Sequence, residues 1–300
     1  MKNYNNYINS LNEKVKWYWW LLLGSFALNQ YTNYISKNNK EMFNSLKNEK
    51  EIYFDWIETA KGKVINKINN SNIKNRKTII DKIKNCKIVD IPNKMDNDEF
   101  ENTAAFYTNY DNIDYVVLNH IIDSVSYQEK IKAITHELFH LVDHHRIIEN
   151  KPNIEINKNI SKEEYAYTFF LIIGFNLDDY EEDSLDDILD DFYENVTTNK
   201  KIKYLSDEAE IYARFNNLKL YLFEHGYISS PNDDISYSVW KSIFNGNLFN
   251  SLSDKEKKLF INYDFIDILP FIKDSKLSEL NKLAYLDKKT NTDYIYDNRV

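Results

Sequence analysis

Apolar residues along most of this chain recur every three or four positions, the period of a helix that buries one face. Over 38–85 the pattern runs through Met42, Phe43, Leu46, Ile52, Phe54, Trp56 and Ile57, then Ile65, Ile68, Ile73, Ile79, Ile80 and Ile83. Asn69-Asn70-Ser71-Asn72 interrupts it, a run of turn formers that predicts a break between helices. The period then shortens to two. Residues 87–91, ending at Pro92, predict a short strand; 103–110 and 114–119 predict two more, joined by a hairpin turn at Asp111-Asn112. Helical spacing returns over 127–148, where Ser126 and Glu129 stand three apart, as in a capping box. Further helices are predicted over 163–175, over 206–223 with Ser206 as N-cap, and over 237–244, 255–272 and 277–286. The sum is an α+β chain, mostly helical, with one small sheet. Its expected organisation is an N-terminal helical region (1–85), a core (86–227) and a C-terminal helical subdomain (228–300).

Composition sharpens this picture in three places. With 43% hydrophobic and 15% aromatic residues the chain can bury a sizeable core, and only 5 Gly and 4 Pro favour long helices over tight turns. A formal charge of −9 without a basic stripe argues against nucleic acid as a partner. Cys86, the single cysteine, excludes an intramolecular disulfide and a cysteine-rich zinc site, and fits a reducing, cytoplasmic setting. Residues 17–28 form an apolar run after Lys14 and Lys16, shorter than the roughly 20 residues a membrane span needs. They read as a buried or interfacial amphipathic helix, with a signal peptide or membrane contact as the alternative. The acidic run over 178–191 lacks the D-x-D-x-D-G spacing of a calcium loop and reads as a solvated face.

The chemistry is concentrated in the helix over 127–148. His136, Glu137 and His140 spell H-E-x-x-H. Residues four apart on a helix fall about 40° apart on one face, so both imidazoles can reach one ion. Glu137 stands beside them as a general base for a metal-activated water. Leu138, Phe139, Leu141 and Val142 fill the neighbouring positions, so the segment reads as buried. Buried imidazoles and a carboxylate need partners, and a zinc ion supplies one.

A catalytic zinc takes three protein ligands and a water. A third ligand from the same helix is not offered: Asp143 stands where a Gly turn would be needed, and Arg146 where a third His would follow. Asp143 is read instead as a carboxylate orienting an imidazole. His144 and His145 suit the negative end of a helix. The third ligand is then expected from the helix over 206–223. Measured from Glu210, the apolar stripe of Ile211, Leu218, Tyr221 and Leu222 spans about 20° to 120°, and Glu208 falls near ~160°. Glu210 sits at the edge of that stripe, with Ala213 allowing close packing and Arg214 at salt-bridge spacing. Glu208, Glu163 and Glu164 remain alternatives.

Followed by a helical Glu210, His136-Glu137-x-x-His140 resembles the gluzincin branch of the zincin metallopeptidases. Glu210-Ile211-Tyr212-Ala213-Arg214 is similar to E-x-x-A-R segments of zincin-like peptidases of phages and mobile elements. His140-Leu141-Val142-Asp143-His144 resembles the continuation of the first metal helix in peptidases related to anthrax lethal factor. The resemblance covers about 87–227 and lacks the N-E-x-x-x-D pattern of thermolysin-like relatives, with Arg214 where an Asp would stand. It implies a zincin-like core with a small sheet and two metal-bearing helices, a Zn2+ cofactor on His136, His140 and Glu210, and Glu137 as the base in hydrolysis of a peptide or protein substrate. In such an enzyme an edge strand pairs with extended substrate, and Ala104 and Ala105 would allow close approach. Tyr107, Tyr204 and Tyr212 are candidate oxyanion donors. The rival expectations are a non-catalytic virion or scaffold protein with a structural zinc, and a secreted toxin-like protease.

Overall fold

A computed structural model gives the architecture. It describes residues 46–90, 104–119, 122–123, 125–147, 157, 159–174, 207–261, 264–272, 277 and 280–281. The runs 17–28 and 178–191, with Tyr204 and Ser206, lie outside the described residues. Helices α1 (Asp55–Asn69) and α2 (Arg76–Asn85) precede strands β1 (Lys87–Asp90), β2 (Ala105–Tyr110) and β3 (Ile113–Leu118). Then come α3 (Tyr127–His145), α4 (Lys162–Ile172) and α5 (Glu208–Glu224). The described chain closes with α6 (Tyr237–Phe244), α7 (Asn247–Asn250), α8 (Asp254–Ile261) and a 3-10 helix, Asp264–Phe271. It is an α+β protein, mostly helical, with a three-stranded sheet. No helix among the described residues is long and apolar enough to cross a membrane.

The chain forms two compact units, Met1–Ala60 with Asn85–Glu137 and Lys61–Lys84 with Leu138–Val300. The first contains the sheet, in the order β1-β3-β2. Central β3 runs parallel to β1, with Lys87 opposite Tyr115, and antiparallel to β2, with Ala105 opposite Leu118. Tyr115, Val116, Val117 and Leu118 are buried on both faces, as a central strand requires. The β2–β3 hairpin turns at Asp111 (φ 54°) and Asn112 (φ 62°). Two successive left-handed residues make the turn whose twist matches that of the strands, and Asp and Asn tolerate that region best after Gly. Ile52 N–H donates to the Ile88 carbonyl at 2.8 Å and extends the main-chain pairing beyond β1. Among the described residues β2 is the opposite edge.

Helix α3 starts as its sequence predicts. Ser126 N–H donates to Glu129 Oε2 at 2.8 Å, and Glu129 N–H donates to Ser126 Oγ at 3.4 Å, closing the capping box. It ends at His145, three residues short of the expected 148, and the cause is a distant side chain. Asn75 Nδ2 donates to the His145 carbonyl at 2.7 Å, and Ile147 N–H donates to Asn75 Oδ1 at 3.2 Å. One amide side chain thus satisfies backbone groups that another helical turn would have used.

The described part of the second unit is helical. Helices α4 and α5 pack on the 3-10 helix, and Tyr221, Phe249, Phe260 and Phe265 form an aromatic cluster with neighbouring ring centroids 5.4–5.8 Å apart. The helix expected over 255–272 is two elements, α8 and the 3-10 helix. Pro270 sits in the second and has no N–H to bond back to Ile266, so an α-helix cannot carry through it undisturbed. Helix α5 is capped by Asp207, whose carboxylate accepts from Ala209 N–H at 2.9 Å, one residue beyond the expected Ser206. An anionic cap also complements the positive end of the helix dipole.

Helices α4 and α7 meet through two left-handed glycines, Gly174 (φ 73°) and Gly246 (φ 71°). A Cβ on Gly246 would lie 2.5 Å from the Leu171 carbonyl oxygen and 2.9 Å from Gly174 Cα. Left-handed strain and the backbone clash together make Gly246→Ala cost roughly 2–4 kcal/mol. Urea unfolding should show that loss as a lowered midpoint at unchanged slope, whereas Gly226→Ala, with nothing within 4 Å, should lose only the φ term.

Candidate metal centre

The centre grows from helix α3. The His136 and His140 side chains leave it one turn apart, and both are buried in its apolar surroundings, with Leu138, Phe139, Leu141 and Val142 fully enclosed. The third group comes from the first turn of α5. One ligand atom from each of His136, His140 and Glu210 lies within 4.8 Å of the others, all three residues being buried. His140 Nε2 and Glu210 Oε1 approach to 3.0 Å. A hydrogen bond alone would account for that pair. Convergence of a second imidazole on the same spot is more than one hydrogen bond requires. Neighbouring ligand atoms around a tetrahedral ion with ~2.05 Å bonds stand about 3.3 Å apart, so small rotations of these side chains close the set. This buried His136, His140 and Glu210 cluster can hold a metal ion.

Glu210 is inside because α5 is buried around most of its circumference, not because it edges an apolar stripe. Arg214, Asn216, Asn217 and Lys219 are enclosed along with Ile211, Leu218 and Leu222. A helix turning polar side chains into a core must satisfy them there. For Glu210 the partners divide between the two oxygens: Oε1 faces His140, and Oε2 accepts from Arg214 Nε at 3.2 Å. The salt-bridge and ligand readings of Glu210 are therefore compatible. Of the alternatives, Glu164 is exposed, and the side chains of Glu163 and Glu208 lie outside the described part of the structure.

Glu137 is also buried, and its carboxylate has a partner that residue identities did not disclose. Tyr107 N–H, on β2, donates to Glu137 Oε2 at 2.8 Å. A hydrogen bond to a charged acceptor contributes about 2 kcal/mol and, more to the point, fixes the plane of the carboxylate. Any residue but proline carries an amide, so only the strand's register could have revealed this donor. The Tyr107 hydroxyl points to other business. It donates to Asp114 Oδ1 at 2.8 Å, which also accepts from Asn109 Nδ2 at 2.7 Å. Burial first, and Asp114 second, push the Tyr107 phenol far above its ordinary value, so it remains a neutral donor.

That hydrogen bond to Asp114 argues against the Tyr107 hydroxyl as an oxyanion donor. Tyr212 is enclosed as well: its ring meets Phe139 edge-on at 6.5 Å and lies 3.5 Å beneath the Arg146 guanidinium. Asp143 does not play the imidazole-orienting part expected of it. Arg146 engages its Oδ1 from Nε at 2.9 Å and from its terminal nitrogen at 2.6 Å, a pairing that sets Arg146 over Tyr212. The His144 and His145 rings lie 4.7 Å apart at the end of α3, and among the described residues neither joins the metal-ligand cluster.

No protein-family model, curated protein or solved structure matches this chain.

If Glu210 is a ligand, Glu210→Gln should keep the Arg214 hydrogen bond and the side-chain volume but remove the charge. Metal affinity, read by competition with a chromogenic chelator, should then fall at least ~10-fold, as for altered polar partners of bound metals. Glu164→Gln and Glu208→Gln should leave it unchanged. Retention of affinity in Glu210→Gln with loss in Glu208→Gln would move the third ligand by half a helical turn.

Proposed function

We propose that this chain is a zinc-dependent metallopeptidase of the zincin type, with His136, His140 and Glu210 as zinc ligands and Glu137 as general base. The observation that carries the reading is the buried convergence of two imidazoles and a carboxylate around the H-E-x-x-H helix. Two nitrogens and one oxygen suit zinc, whereas calcium and magnesium prefer all-oxygen sites. When bound, zinc supplies a Lewis acid that polarises a carbonyl and lowers the pKa of a coordinated water.

The remaining roles fall to the chain itself. The Glu137 carboxylate, oriented by Tyr107 N–H, takes a proton from water and returns it to the departing amine. Tyr107 N–H is directed away from β3, so strand alternation turns the backbone groups of Ala105 and Asn109 toward the same edge. In such an enzyme that is the edge on which an extended peptide pairs; here Ala105 and Tyr107 are enclosed along it, and the Tyr107 amide is held by Glu137. Ala104 serves the opposite side, its carbonyl accepting from Asn119 N–H at 3.0 Å.

The rival reading is a virion or scaffold protein that keeps zinc for stability. A structural zinc is usually closed by four protein ligands. Among the described residues the cluster comprises three, which favours the hydrolytic reading.

Glu137→Gln separates binding from chemistry, because an amide keeps the shape and accepts no proton from water. Native mass spectrometry should find one zinc in wild type and variant alike. Cleavage of a randomised quenched-fluorescent peptide library should fall by about 10²–10⁴ in the variant. Chelation should stop wild-type cleavage and added zinc restore it. Wild-type rates in Glu137→Gln would dismiss Glu137 as the base.

A further inference from the structure

We propose that Asp267, on the C-terminal 3-10 helix, is a positioning residue for the metal centre, acting through Arg214 on Glu210. The inference rests on the zinc reading above and adds a residue from a region whose sequence offers no recognisable chemistry. Arg214 is 1% exposed and Asp267 0%, so their charges are held out of water. Arg214 spans the gap between two carboxylates. Its Nε donates to Glu210 Oε2 at 3.2 Å, and its terminal nitrogen donates to Asp267 Oδ2 at 3.4 Å. Asp267 is itself anchored, since Tyr165 Oη donates to its main-chain carbonyl at 3.1 Å. Burial, followed by the nearby Asp267 charge, raises the Tyr165 phenol well above its ordinary value and keeps that proton in place.

The chain of contacts has two physical consequences. The first is geometric. With Oε2 held by Arg214, Oε1 of Glu210 faces His140, so the carboxylate presents that oxygen in a set direction. The second is electrostatic. A buried guanidinium beside a ligand carboxylate draws on the charge that a cation would use, and it repels the cation. Asp267 balances that guanidinium, leaving the negative charge of Glu210 for the metal. Outer carboxylates commonly orient metal-bound histidines; here the orientation is carried to a glutamate through an arginine.

Asp267→Asn tests this, because the amide keeps the volume and an acceptor oxygen but loses the charge. Zinc affinity should fall 10–100-fold relative to wild type. The visible absorption of the Co2+-substituted protein should shift in position or intensity, reporting a changed ligand field that a purely structural role would not produce. Asp267→Glu should recover part of both. If Asp267→Asn fails to fold, Tyr165→Phe releases the hydrogen bond that anchors the Asp267 main chain while keeping both buried charges, and it should weaken zinc binding in the same direction, by a smaller factor, and shift the cobalt spectrum. Wild-type affinity and an unchanged cobalt spectrum in whichever variant folds would overturn the proposal while leaving the zinc reading intact. A wild-type protein that takes up no zinc or cobalt would remove the zinc reading and this proposal together.

Discussion

His140 Nε2 and Glu210 Oε1 stand 3.0 Å apart in the core, and the constraint on the surrounding helices is that this buried pair must be matched by their other polar groups. The contact joins an imidazole and a carboxylate that are both buried, and burial makes each depend on the other. Groups of this kind add little net stability, because the cost of leaving water offsets most of the attraction. Apolar residues would fill the same space more cheaply. Their presence is therefore better explained by what the assembled groups can do than by what they contribute to folding.

Around that contact several polar groups of α5 find partners. Arg214 takes the second oxygen of Glu210 and is met in turn by Asp267. Asn216 Nδ2 donates to the Tyr212 carbonyl at 2.8 Å. A helix so enclosed has lost the solvent face that would ordinarily accommodate its arginine and lysine. Its Asp207 cap fixes where the first turn begins, and so the height at which Glu210 enters the core.

In the other unit the sheet acts on Glu137 through its backbone. Register with β3 is set by the Asp111-Asn112 turn, and a slip of one residue would point the Tyr107 amide to the wrong side. The hairpin thus bears on the Glu137 carboxylate although no side chain of its turn need approach it. Its tip is secured from outside by Lys47, which pairs with Asp111 at 2.6 Å and lies 5.2 Å from the Tyr110 ring centroid.

What the sequence determined by itself is whatever depends on neighbours a few residues apart. The placement of His136, Glu137 and His140 on one helix, the Ser126–Glu129 capping box and the Asp111-Asn112 hairpin all follow from backbone periodicity and local hydrogen bonding. Glu210 was legible as the third group, although the stripe argument for it assumed an exposed face that α5 does not have. Only the tertiary structure decided the rest. Asn75 ends α3, Arg146 takes Asp143 away from the imidazoles, an amide of β2 holds Glu137, and Asp267 reaches Glu210 through Arg214. In each of these the partner is a backbone group or a polar side chain whose identity suits many surroundings. Periodicity states which residues go inside. Which buried donor meets which acceptor is decided only when the elements pack, because an enclosed polar group is then limited to the partners within its reach.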